Sequence, residues 1–143
     1  MFQPGVGLSD LEAMSKGTLM EHLGIEYLEI GTDYIRARMP VDRRTVQPLR
    51  MLHGGASIAL AESLGSMAAN ISVDPERFYC VGLEVNANHI KAVRSGFVYG
   101  TAKPLHMGTR TQVWEIRIQN EQGGLVCISR LTMAVIERKG HAQ

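Results

Sequence analysis

At 143 residues the chain is long enough to enclose one real core and too short for two comfortable ones. A single domain over 1–143 is therefore expected, with 1–24 as an N-terminal helical segment and 138–143 as a tail. Lys and Arg total 15 against 14 Asp and Glu, a balance that gives no electrostatic footprint for nucleic acid or an anionic membrane surface, so an acidic ligand must be met by local charge.

Cys80 and Cys127 sit in apolar runs and fit buried thiols better than a disulfide framework, which favours a reducing compartment. The N-terminus has neither a basic nor an apolar leader region and no stretch is apolar enough to cross a bilayer, so the cytoplasm is the expected location. In chain order, Ser9 with Glu12 and Thr18 with Glu21 have capping-box spacing and predict two short helical pieces ended by Gly17 and Gly24, a lid or brace. Residues 25–30 and 34–39 flank Gly31-Thr-Asp33 as a hairpin whose second arm alternates Ile35, Ala37 and Met39 with Arg36 and Arg38, and Pro40 ends it. Gln47-Pro48 then falls in a loop, where the side-chain amide is either solvated or able to hold a water or a carbonyl oxygen.

A long helix follows, starting on His53-Gly54-Gly55. Ile58, Leu60, Ala61, Leu64, Met67, Ala68 and Ile71 fill much of its circumference and predict a largely buried element. Glu62 needs a reason to be there, because a carboxylate in apolar surroundings has its charged form disfavoured. It either reaches the rim to pair with an Arg or belongs to a reaction site, and its helical neighbours Ile58, Ala59, Gly65 and Ser66 are mostly small enough to admit a ligand. At the helix start, backbone N–H groups lack intrahelical acceptors and the glycines let an oxygen approach them. That is an oxyanion-hole design as well as an ordinary glycine turn.

Asp74-Pro75 marks a break, and strands are expected near 78–89, 97–103, 111–119 and 125–136, with hairpin turns at Arg94-Ser-Gly96 and Glu121-Gln-Gly-Gly124. One long helix among hairpin-linked strands gives an α+β fold, an antiparallel β-sheet wrapped around one long central α-helix. Lys103-Pro-Leu-His-Met-Gly-Thr-Arg110 joins two strands, and Lys103, His106, Thr109 and Arg110 suit a phosphate-bearing ligand or simply form a charged turn; Lys91 and Arg94 could serve the same end. The five histidines, His22, His53, His89, His106 and His141, show no paired ligand spacing, so no metal is expected. Met51, Met67 and Met107 could line an adaptable pocket or fill core gaps.

Together, Met39-Pro-Val-Asp42, the Gln47-Pro48 loop, Leu52-His-Gly-Gly-Ala-Ser57, Ala61-Glu-Ser63, Val81-Gly-Leu-Glu-Val-Asn-Ala-Asn-His89, Lys103-Pro-Leu-His106 and Ser129-Arg-Leu-Thr132 resemble the hotdog-fold acyl-CoA thioesterases. The resemblance is to the branch of small acyl-CoA and aryl-CoA hydrolases that includes the 1,4-dihydroxy-2-naphthoyl-CoA hydrolases and the phenylacetate-pathway thioesterases. The resemblance implies hydrolysis of acyl-CoA thioesters, with aromatic acyl groups such as benzoyl or dihydroxynaphthoyl favoured and no cofactor beyond the coenzyme A of the substrate. It places a nucleophile or general base on Glu62, the carbonyl-polarising N–H on Gly54, and assisting roles on Gln47 and Ser66. His53 would fix the loop or the carbonyl end. His89 comes close to the ligand's pantetheine or acyl portion, although a structural His at a strand end is an equal reading.

Gly54 and Glu62 lie eight residues apart, about 12 Å along a helix axis. One scissile bond cannot easily touch both, so the two groups are expected from antiparallel copies of the helix, in a dimer with two equivalent sites. The resemblance agrees and extends to tetramers built as dimers of dimers. The rival readings are a hydroxyacyl thioester dehydratase or hydratase on the same fold, told apart by enoyl product instead of free thiol, and a non-catalytic acyl-CoA-binding module.

Overall fold

The computed structural model describes residues 1–139, so His141 and most of the expected 138–143 tail lie outside the described residues. Two short helices open the chain, α1 (Leu8–Ser15) and α2 (Leu19–His22), and Gly17 and Gly24 end them at φ 73° and 69°. The start of α1 lies ahead of the Ser9–Glu12 pair. Gly7 is its N-cap and donates its N–H to Asp10 Oδ2 at 2.8 Å, so the acid nearer the chain entry takes the capping role. At α2 the expected cap forms, with Thr18 Oγ1 accepting the Met20 N–H at 3.3 Å.

β1 (Glu26–Ile30) and β2 (Ile35–Pro40) make the predicted hairpin, with Ile35, Ala37 and Met39 buried. Arg36 and Arg38 point out over the rings of Tyr99 and Phe97. After α3 (Gly54–Ile71) come β3 (Phe78–His89), β4 (Phe97–Met107), β5 (Thr111–Asn120) and β6 (Leu125–Glu137). The six strands form one antiparallel sheet in the order β1-β2-β4-β5-β6-β3. This is the hotdog architecture, a sheet wrapped around one central helix: α3 packs against every strand from β2 to β6. Its length of 18 residues corresponds to about 27 Å.

Two expectations are corrected here. Arg94-Ser-Gly96 is not a hairpin turn, because β3 pairs with β6 at the sheet's far edge and residues 90–96 carry the chain across to β4. The signature specifies only the local bend, seen in Gly96 at φ 78°, and is silent about which strand follows alongside. The 103–107 stretch is strand, not loop. Pro104 is tolerated because β2 ends its pairing with β4 at Ala102, leaving Pro104 on a local edge at a bulge in the β4–β5 ladder.

The core joins Leu60, Leu64 and Ala68 of α3 to Val98, Trp114, Ile116, Ile118, Leu131 and Met133 of the sheet. Close approach is built in at Gly65, where a Cβ would come within 2.5 Å of Leu131 Cδ2. The far end of α3 is tied to β5 by a buried relay: Trp114 Nε1 donates to Gln112 Oε1 at 3.0 Å, and Gln112 Nε2 donates to Ser72 Oγ at 3.1 Å. Among the described residues, no helix is long and apolar enough to cross a membrane.

α3 is not buried all round, as its composition suggests. Ile58, Ala59, Glu62, Ser63, Ser66, Met67 and Asn70 form a half-buried stripe at helical spacing, so Ile58 and Met67 lie outside the core proper. The sheet covers only one side of the helix. Beside the stripe runs the unpaired edge of β3, with Tyr79, Val81 and Leu83 exposed and a bulge between Gly82 and Glu84.

Candidate active site

The N-terminus of α3 offers one free donor. His53, the N-cap, accepts the Gly55 N–H on Nδ1 at 2.8 Å, and its carbonyl accepts from Ala56 and Ser57 at 3.0 and 3.2 Å. No acceptor among the described residues takes the Gly54 N–H, so it faces open space with the positive end of the helix behind it. Glycine lets the ring of His89 close over this position: a Cβ at position 54 would come within 2.8 Å of His89 Nε2, and the ring or the backbone would have to shift. His53 is thus a cap that fixes the entry to the helix, and His89 is a wall over Gly54.

Gln47 is presented to the same place by a tightly held loop. Gln47 N–H donates to the Met51 carbonyl and Arg50 N–H to the Gln47 carbonyl, both at 2.8 Å, with Arg50 in the left-handed region at φ 61°. Leu52 N–H reaches the Val93 carbonyl and Arg94 Nη1 reaches the Leu49 carbonyl at 3.2 Å, so Arg94 braces the loop. The Gln47 side-chain oxygen accepts from the Leu49 N–H. This fixes the amide's orientation and leaves its NH₂ as the end able to donate to a ligand. Gln47, Met51, Gly54, Ser57, His89 and Lys91 line one cavity of about 320 Å³.

Glu62 faces a different cavity, of about 370 Å³, shared with Met14, Met20, Ser63, Ser66, Met67 and Asn70. Among the described residues no cation and no hydrogen-bond donor pairs with its carboxylate, so within one copy Glu62 is not held by an Arg. The carboxylate lies against Gly82 of β3, where a Cβ would come within 2.7 Å of Oε1. Ser66 lines this cavity one turn on, its hydroxyl directed to Met133 Sδ at 3.7 Å. Burial pushes the thiols of nearby Cys80 and of Cys127 above their ordinary range, which keeps both protonated and poorly nucleophilic.

The sequence reading missed three contributors. Asn70 binds both backbone groups of Cys80, accepting its N–H at 2.8 Å and donating to its carbonyl at 3.0 Å, and so ties the Glu62 end of α3 to β3. Met14 and Met20 bring the N-terminal helices in as a wall of the Glu62 cavity. An Asn in the last turn of an apolar helix was the available signal for the first. The methionines lie too far along the chain for any local pattern to link them to Glu62.

The predicted substrate- and CoA-binding set divides. His89 and Lys91 line the Gly54 cavity. Lys103, His106, Thr109 and Arg110 lie at the other end of the sheet: Lys103 Nζ is 3.8 Å from Asp33 Oδ1, and Thr109 lines a separate hollow with Met107 and Ser72 beyond the C-terminus of α3. The structure does not bring these four to Gly54 within one copy of the chain.

Residues 49–127 match the family model of the thioesterase superfamily. The chain is 50% identical over 131 residues to the 1,4-dihydroxy-2-naphthoyl-CoA hydrolase of Escherichia coli, covering 92% of this chain and 96% of that protein. It is 53% identical over 129 residues to the proofreading thioesterase EntH of Cronobacter turicensis, covering 90% of this chain and 93% of the other. A crystal structure of a mutant thioesterase from Pseudomonas aeruginosa superposes with a TM-score of 0.94 at 47% identity, over 96% of this chain and 99% of that one.

Proposed function

The chain belongs to the thioesterase superfamily and is a thioester hydrolase, and on that premise we propose that it cleaves aryl-CoA thioesters in sites shared between two copies of itself. The observation that carries the shared site is the separation of Gly54 and Glu62 into two cavities of one protomer. A carbonyl held at Gly54 is out of reach of the same chain's carboxylate, about 12 Å away along the axis. An antiparallel second helix supplies the missing group to each cavity. The uncovered stripe of α3 and the exposed apolar edge of β3 adjoin one another at Glu62 and Gly82, and a second copy would cover both. The same antiparallel stagger carries the partner's Thr109 and Arg110 end towards this copy's Gly54 cavity, the arrangement in which that charge and Lys91 serve one nucleotide.

In the reaction the Gly54 N–H and the helix dipole stabilise the developing oxyanion. The Glu62 carboxylate of the other copy takes a proton from a water held by the Gln47 amide, or attacks the acyl carbon itself to give a mixed anhydride that water then opens. Either way the carbon–sulfur bond breaks, the thiolate takes up a proton, and a carboxylic acid and free coenzyme A leave. Ser66 sits one turn from Glu62 to orient that carboxylate or the water. The name of one relative, a 1,4-dihydroxy-2-naphthoyl-CoA hydrolase, favours an aryl group, and a methionine-lined cavity of about 370 Å³ is of the size and pliancy for one or two fused rings.

Mixing two inactive variants tests the shared site. Glu62→Gln and Gly54→Val, each dead alone, are unfolded together and refolded, and thiol release from benzoyl-CoA is followed. Random pairing yields heterodimers with one intact site of two, so about a quarter of wild-type activity returns. A mixture as inactive as its components overturns the reading.

A further inference from the structure

We propose that the Ser57 hydroxyl is a second donor to the carbonyl oxygen held by Gly54, so that the oxyanion hole has two points; this rests on the role of Gly54 argued above. Ser57 is 2% exposed, yet its Oγ makes no hydrogen bond to any described residue. Among the described residues, no buried side-chain nitrogen or oxygen is both sealed from solvent and unpartnered, so the little exposed surface that Ser57 has belongs in part to its hydroxyl. The surface it meets is the cavity it lines with Gln47, Gly54 and His89.

Packing does not ask for a hydroxyl here, since a buried polar group without a partner costs stability and alanine would fill the same space. A helical serine ordinarily settles on the carbonyl four residues earlier. Ser57 does not, and the His53 carbonyl is already taken by the N–H groups of Ala56 and Ser57. Side chains on a helix lean towards its N-terminus, over the residues three and four earlier, and for Ser57 one of these is Gly54, which has no Cβ to intervene. The hydroxyl and the free N–H therefore open on one side of the same cavity. A carbonyl oxygen has two lone pairs and gains further capacity as it becomes an oxyanion, so one N–H leaves room for the second donor.

Infrared spectroscopy separates this claim from the one beneath it. Benzoyl-CoA labelled with ¹³C at the carbonyl is bound to Glu62→Gln and to Glu62→Gln/Ser57→Ala, and the carbonyl stretch is compared with that of the free thioester. The expected result is a shift to lower frequency in the first protein, much of it lost in the second. An equal shift in both overturns the proposal for Ser57, and no shift in the first removes the Gly54 reading and this proposal with it. In the otherwise wild-type protein, Ser57→Ala should lower kcat about 10²-fold with little change in KM and with a melting temperature unchanged or raised. An unchanged kcat, or a fall in melting temperature that accounts for the lost activity, would make Ser57 a packing residue and sink the proposal.

Discussion

The two cavities along α3 are built of different materials. The one at Gly54 is walled by clamped backbone: the His53 cap, the Gln47 turn with Arg50 in the left-handed region, and a brace from Arg94. The one at Glu62 is walled by Met14, Met20 and Met67, side chains with several rotatable bonds, and includes a segment from the chain's N-terminal helices. Fixed donors suit the part of a substrate that never varies, the thioester and its carrier, while a pliant wall suits an acyl group that does. Electrostatic stabilisation depends on dipoles that need no rearrangement, and on the proposed mechanism the rigid cavity is the one where charge would develop.

This contrast is broken most severely at Glu62. Replacement by Ala should lower kcat by about 10²–10⁴-fold in a thiol-release assay, and turnover near wild type would remove the carboxylate from the mechanism. The high-lying thiols of buried Cys80 and Cys127 keep the protein's own reaction with the reagent slow. At the rigid cavity, Gly54→Ala puts a methyl group within 2.8 Å of His89 Nε2 and should displace either the ring or the donor. A misplacement of that kind costs about 10²-fold in kcat/KM, alike for aryl and alkyl substrates. A loss that depends on the acyl group would instead mean that Gly54 shapes the acyl pocket. The smallest expected effect is at the tie between helix and edge strand: Asn70→Ala strips both partners from the Cys80 backbone and should cost about 1–3 kcal/mol in denaturant unfolding. An unchanged midpoint would show that water replaces the amide without loss.

The fold was legible where the signal was local. The Gly31-Thr-Asp33 hairpin, the helix starting on Gly54 and the turn between β5 and β6 all carry their own punctuation. The placement of β3 was not, because pairing with β6 is chosen by packing against α3 and no residue near Arg94 records it. Pro104 hid the end of β4 because its missing N–H matters only where a neighbouring strand would use it. Glu62 and Gly54 stood out as a carboxylate and a glycine pair out of keeping with an apolar helix. Ser57 did not, since a serine in such a segment looks like any small residue until it is found lining the cavity with its hydroxyl unpartnered among the described residues.

One added residue in β3 has an outsized effect. Gly82 seats the Glu62 carboxylate and His89 walls Gly54, yet these two positions are seven apart, an odd number that in a regular strand sends side chains to opposite faces. The bulge at Leu83 resets the phase of the strand, so that Cys80 and Gly82 before it and Val85, Ala87 and His89 after it all turn towards the helix. A single ribbon thereby flanks both Glu62 and Gly54 of its own copy, and its irregularity is the hyphen between them.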